Sequence, residues 1–156
     1  MSHRLPEPAA APPAGGVIEA WLERLQANGY RLTAPRRAVV ETIAHSQHLL
    51  DPQTIFERTR QRYPQLGLVT VYRTLDKLEE LGLVQRVHRP QGCQAFTAAF
   101  TGHQHLLICR RCGRVEYFSG DSERMDGLMV SVGQASGYTI EDHWLQLFGL
   151  CAACRG

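Results

Sequence analysis

Two cysteine pairs of equal spacing, Cys109-x-x-Cys112 and Cys151-x-x-Cys154, most constrain how this chain can fold. A C-x-x-C turn aims two sulfurs at one point, and zinc favours tetrahedral thiolate coordination. Two matched pairs are better explained by one four-thiolate zinc than by redox dithiols or buried thiols. Between them lie residues 113–150, a longer insert than a simple zinc ribbon holds. A metal at this place therefore predicts a small folded unit whose two ends it clamps together. Cys93 is left over. A lone cysteine is most often a small core residue, with a ligand role as the second reading.

The 156 residues suffice for one ordinary domain or two small ones. No apolar run approaches the ~18 residues of a membrane helix, so no membrane partner is expected. The N-terminus lacks the apolar core of a secretory signal, which points to a cytoplasmic chain with reduced cysteines. The net charge of +2 is too small to announce nucleic-acid binding. Its distribution says more: residues 1–90 carry 12 Lys+Arg against 9 Asp+Glu, and residues 91–156 carry 5 against 6. That pattern fits a basic half that meets phosphates and a neutral half with another task.

Residues 1–16, rich in Ala and Pro, read as a flexible tail. A first helix is expected from Val17 to Asn28, where Val17, Ile18, Trp21, Leu22 and Leu25 recur at helical spacing before Gly29. Thr33 caps a second helix with Pro35 in its first turn, and Asp51 caps a third with Pro52 at the first helical position. The third should bury Ile55, Phe56 and Thr59. The fourth, Val69 to Leu81, is the most regular: Val71, Leu75 and Leu78 share one face, while Tyr72, Arg73, Asp76 and Lys77 point the other way. Pro90-Gln91-Gly92 then separates two short apolar segments, the pattern of a β-hairpin.

Helices followed by a hairpin predict a winged helix-turn-helix over residues 17–97. Residues 98–102 read as a linker. Residues 103–156 read as a small α/β unit, with strands Leu106–Ile108, Val115–Phe118 and Tyr138–Phe148 around a helix at Ser122–Ser136. Gly127 and Gly133 weaken that helix. The fold class is thus α+β.

A helix that reads DNA must fill the major groove with one face and pack with the other. The fourth helix meets that condition. Tyr72 offers a ring and a hydroxyl, Arg73 and Lys77 offer phosphate or guanine contacts, and Thr70 lies beside them. Arg36 and Arg37 on the second helix could grip the backbone, and His88 and Arg89 lie near the wing tip. An amphipathic surface helix with a solvated charged face is the competing reading.

His103 and His105 project to the same side of an extended chain. His143 precedes Cys151 by eight residues and can approach them if the last strand pairs near the first. With a carboxylate they would make a mixed nitrogen–oxygen site suited to zinc, iron or manganese. Glu123 and Asp126 are the first candidates for that carboxylate, followed by Glu116 and Asp121. Unligated surface histidines are the alternative.

The stretches GYRLTAPRRAVV, LVTVYRTLDKLEELGLV, HQHLLICRRCGRVEYF and HWLQLFGLCAAC together resemble the ferric uptake regulator superfamily over roughly residues 17–154. That resemblance implies a homodimeric, metal-dependent transcriptional repressor. Its winged helix would bind an inverted-repeat operator, and its C-terminal α/β domain would dimerise. It implies structural Zn2+ at Cys109, Cys112, Cys151 and Cys154, groove contacts from Tyr72 and Arg73, and a role for Arg37, which matches the arginine of the family's helix-two motif.

The family's metal site inside the dimerisation domain maps onto His103, His105 and His143. Arg124 stands at the place of its carboxylate, flanked by Glu123 and Asp126. A further site bridges the two domains in relatives. Here Gln104 and Leu106 occupy its ligand positions, Thr97 matches its glutamate, and its helix-three histidine is offset by one, with His48 adjacent. That site is therefore absent or rebuilt, with His48, His88 and Cys93 as candidate ligands. The ending GLCAAC and a cysteine near position 93 resemble the zinc-uptake branch. A regulatory Zn2+ is accordingly expected over Fe2+ or Mn2+, although iron, manganese and peroxide sensors share the scaffold.

The expected partners are operator DNA and a second copy of the chain, with no small-molecule substrate. One rival is a zinc hydrolase or deaminase. The deaminase signature H-x-E with P-C-x-x-C is missing, and a four-cysteine site has no open position for chemistry. The other rival is a zinc-bound protein-interaction module without DNA binding.

Overall fold

The computed structural model describes residues 14–89, 94–99, 104–119 and 122–156, with backbone alone at 14, 15, 122 and 123. These residues fall into two compact units, one on each side of residue 100.

In the first unit, α1 (Ala14–Ala27), α2 (Ala34–Ala44), α3 (Pro52–Arg60) and α4 (Leu68–Glu80) precede a hairpin of β1 (Val84–His88) and β2 (Gln94–Ala98). The α1 helix starts inside the expected tail. The anchors that hold it are Ile18, Trp21, Leu22 and Leu25, all buried. The two predicted caps form. Thr33 Oγ1 accepts from the Arg36 N–H at 3.4 Å, and Asp51 Oδ1 accepts from the Thr54 N–H at 2.8 Å. Each satisfies one N–H that a helix start leaves unpaired.

The core joins Trp21, Leu22 and Leu25 of α1 to Val39, Val40 and Ile43 of α2, Ile55 of α3, and Val71, Leu75 and Leu78 of α4. Thr59 is buried as expected, and its hydroxyl meets Thr42 across α2 and α3 at 3.0 Å. Phe56 is only half-buried, because it lies at the core margin under the Arg60 guanidinium.

The hairpin is antiparallel, with Arg86 opposite Phe96 and His88 opposite Gln94. Leu50 adds a short third rung by pairing with Phe96 on the other side. Arg86 ties the hairpin to α4: its Nε donates to Glu79 at 3.0 Å and its guanidinium lies over the Phe96 ring. The expected linker begins too early at 98. Ala98 ends β2, and the Ala99 N–H donates to Leu83 at 2.8 Å. The Pro90-Gln91-Gly92 turn and Cys93 lie outside the described residues.

The second unit holds β3 (His105–Cys109), β4 (Val115–Phe118), α5 (Ser122–Ser136) and β5 (Gln146–Gly149), ending in a 3-10 turn at Ala152–Cys154. The sheet order is β4-β3-β5. β4 is antiparallel to β3, while β5 is parallel to it, with Leu106 beside Gln146 and Cys109 beside Gly149. α5 is the crossover that parallel pairing requires.

The expected strand from Tyr138 is shorter than its pattern. Among the described residues the strand is confined to Gln146–Gly149, alongside the five residues of β3. α5 runs unbroken through Gly127 and Gly133. Gly133 is buried where the chain turns back; a Cβ there would lie 2.7 Å from the Tyr138 carbonyl oxygen. Among the described residues, no helix is long and apolar enough to cross a membrane.

Candidate metal centre and nucleic-acid interface

Parallel register brings the two cysteine pairs together. Cys109 ends β3, Gly149 ends the neighbouring β5, and both strands run the same way. The turn after each strand therefore projects from the same end of the sheet. The four sulfurs lie within 4.8 Å of one another, and Cys112 and Cys151 are 3.8 Å apart. A tetrahedral zinc with Zn–S near 2.3 Å sets sulfurs about 3.8 Å apart, so the donor set fits that ion. Among the described residues this is the only cluster of three or more His, Cys, Asp or Glu side chains placed to hold an ion.

The thiols also shape one another's charge. Backbone N–H groups of Cys112 and then Cys151 point at the Cys109 sulfur, and hold its pKa down at about 6. Cys154 is pushed up to about 12, first by hydrogen bonding with the Cys151 thiol, then by burial and the other thiols. One anion is thus welcome and the last is resisted, until a cation offsets their repulsion. The Arg111 guanidinium donates to the Cys154 carbonyl at 3.0 Å, tying the first cysteine turn to the second. Nothing in the spacing of the sequence marks that contact.

His105, buried in β3, and His143, in the segment leading to β5, lie with ring centroids 5.1 Å apart. The Phe118 ring flanks His105 at 5.4 Å. The expected approach of His143 to β3 is therefore present. His103, Asp121 and the side chain of Glu123 lie outside the described residues. Asp126 is exposed on α5, and Glu116 pairs with Arg114 at 3.0 Å. On α5, Met129 touches His143, with its Sδ 3.1 Å from His143 Nδ1. Sequence reasoning missed it, although Met125 and Met129 stand at the i, i+4 spacing of one helix face.

His48 and His88 are drawn apart by the hairpin. With Leu50 level with Phe96 and Arg86, His48 falls level with Val84, four ladder positions from His88. At about 3.3 Å per residue they are offset by roughly 13 Å along the strands, on opposite sides of β2, so they do not share one ion.

On α4, Tyr72 is 49% exposed, Val69 is 62% exposed, and Arg73 stands beside them in solvent. Thr70 is half-buried, and its carbonyl accepts from Thr74. The other predicted DNA contacts are engaged within the unit. Lys77 pairs with Glu80 at 2.9 Å and lies over the Tyr30 ring, and Tyr30 donates to the same carboxylate at 3.2 Å. Arg37 pairs with Glu19 at 3.1 Å, and Arg36 donates to the Arg31 carbonyl. Arg89 lies near the Asp51 carboxylate.

The model of the ferric uptake regulator family matches residues 27–148. The chain belongs to the ferric uptake regulator family. It is 31% identical to the ferric uptake regulation protein of Shigella flexneri over 134 residues, 84% of this chain and 89% of that one. Its fold is shared with the Helicobacter pylori ferric uptake regulator, at TM-score 0.68 and 20% identity over 94% of this chain and 96% of that chain. It is also shared with a zinc uptake regulator complexed with zinc and DNA, at TM-score 0.69 and 24% identity over 91% and 95%. A ferric uptake regulator family protein is a metal-responsive, DNA-binding transcription regulator rather than an enzyme, which disposes of the hydrolase and deaminase alternative.

Proposed function

We propose that this ferric uptake regulator family member is a cytoplasmic repressor that binds an inverted-repeat operator as a homodimer, with zinc as its regulatory metal. The observation that carries metal control is the juxtaposition of His105 and His143 in a unit whose four cysteines already fit a separate ion. Cys109, Cys112, Cys151 and Cys154 would hold a structural zinc, which supplies a fixed link between the ends of β3 and β5. His103, His105 and His143 would hold the exchangeable one, with Glu123 or Asp126 as the carboxylate the family pattern asks for. Zinc over iron or manganese is supported by the ending GLCAAC.

DNA contact is supported by α4, which offers Tyr72 and Arg73 outward while Val71, Leu75 and Leu78 hold it from behind. A homodimer is supported by apolar side chains left in solvent in the second unit. Leu107 and Leu147 are neighbours across β3 and β5, and Leu128, Val130 and Val132 are exposed on α5. Covering each such side chain gains on the order of 1.5–3 kcal/mol when it is fully buried. Metal at the histidine site would then set the spacing of the two wings, a coupling of about 1–3 kcal/mol in operator affinity.

The experiment is operator binding at controlled free zinc, iron and manganese. Tight binding restored by zinc at the lowest free concentration is the expected result. Affinity unchanged by chelation of the exchangeable metal ends the metal-control reading, and a flat salt dependence ends the DNA-binding one in favour of a protein-interaction module.

A further inference from the structure

α5 presents a sulfur to His143. Met125 and Met129 are its half-buried positions, one helical turn apart, while Arg124, Asp126, Gly127, Leu128 and Val130 are exposed. The Met129 thioether reaches His143 Nδ1 at 3.1 Å, and His143 in turn stacks near the buried His105. Two ligands on a tetrahedral ion, with metal–nitrogen near 2.1 Å and metal–sulfur near 2.3 Å, lie about 3.6 Å apart. The observed pair needs to open by only about half an ångström to admit an ion between its two atoms. Met is unbranched with soft, polarisable sulfur, so that adjustment strains no backbone.

We infer that Met129 is a further ligand of the regulatory metal, adding a thioether beside His105 and His143. This rests on the histidine site proposed above and sets its selectivity. A thioether is a soft donor. It suits borderline ions such as Zn2+ and Co2+, and it is a poor ligand for Mn2+, which prefers carboxylate and water oxygen.

The test uses the full chain with one equivalent of zinc retained at the four cysteines and Co2+ added as a probe. Cobalt-edge X-ray absorption reads only the added ion. One sulfur neighbour at about 2.3–2.5 Å is expected in the parent chain and none in Met129→Leu, with Co2+ and Zn2+ affinity falling about ten-fold in the variant and Mn2+ affinity unchanged. Met129→Glu should reverse the preference and raise Mn2+ affinity. His143→Ala is the control for the site itself. If it abolishes cobalt binding while Met129→Leu changes neither affinity nor spectrum, the thioether only packs against the ring and the inference is overturned. If His143→Ala leaves cobalt binding intact, the histidine site itself fails.

Discussion

The imidazoles of His105 and His143 stand 5.1 Å apart, although one begins the central strand and the other precedes the last strand of the unit. Parallel pairing of β5 with β3 brings the two within reach. Once Leu106 lies beside Gln146, His105 is level with Leu145, and His143 stands only two residues before it. The same register delivers the cysteine pairs at the opposite end of these strands. One ladder therefore builds both candidate metal sites.

Replacing Cys151 by Ser should remove the structural zinc. The remaining three thiols keep their positions but lose one corner of the tetrahedron, and a metal-linked unit loses its folding energy with its ion. Elemental analysis should show zinc per chain falling from one tightly held equivalent to near none, with melting of the C-terminal unit at a lower temperature. Zinc retained at full stoichiometry would falsify the four-thiolate assignment.

Tyr72 and Arg73 should dominate sequence-specific binding, and Lys77 should contribute little. Arg73 is exposed, whereas the Lys77 ammonium is held by Glu80 and the Tyr30 ring. Arg73→Ala should cost about 1–3 kcal/mol in specific operator binding. Lys77→Ala should leave the salt slope of binding unchanged, since a lost phosphate contact would lower it by about one. A shallower slope for Lys77→Ala would show that the lysine leaves its intramolecular pair to meet the DNA.

A charge on the exposed sheet face tests the dimer. Leu147→Asp places a carboxylate beside Leu107, where the two leucines are already 44% and 41% exposed in the single chain. Folding of the chain should survive because the position is solvent-facing. Sedimentation should show monomer at concentrations where the parent chain is dimeric. A dimer of unchanged strength would move the interface elsewhere.

Asp51 links stability to pH. Burial favours its neutral form, but the Thr54 N–H and hydroxyl, its own N–H and the nearby Arg89 outweigh that and hold its pKa below 3.8. A carboxylate with a depressed folded-state pKa adds stability above its unfolded-state pKa, and that stability is lost as pH falls through the folded value. Asp51→Ala should therefore cost about 1 kcal/mol at pH 7, as the loss of a helix cap does. Urea unfolding repeated below pH 3.8 should show the gap between variant and parent narrowing. A constant gap would mean the cap acts without its charge.

Much of the first unit was legible because its signals are local. Thr33 and Asp51 announce helix starts, and Val71, Leu75 and Leu78 announce a buried face within one helix. The cysteine cluster was legible because four residues of one chemistry at matched spacing admit few arrangements. What could not be read are relations between elements. Arg37 and Lys77 look like free cations until Glu19 arrives from α1 and Tyr30 from the turn after it. The segment from Tyr138 reads like a strand, yet among the described residues its ladder with β3 begins only at Gln146, after the turn at Gly137 with φ 75. Met129 carries no ligand motif, and its contact with His143 depends on the crossover of α5.

The parallel order of the second sheet also sets a timetable for maturation. During synthesis the four helices and hairpin are complete before β3 has emerged, so the first unit can fold while the chain is still growing. β3 can pair with β4 at once, but its other edge waits for Gln146–Gly149, and Cys109 waits for Cys151. The proposed DNA-reading helix is thus made early, and both candidate metal sites are finished only when the last strand arrives.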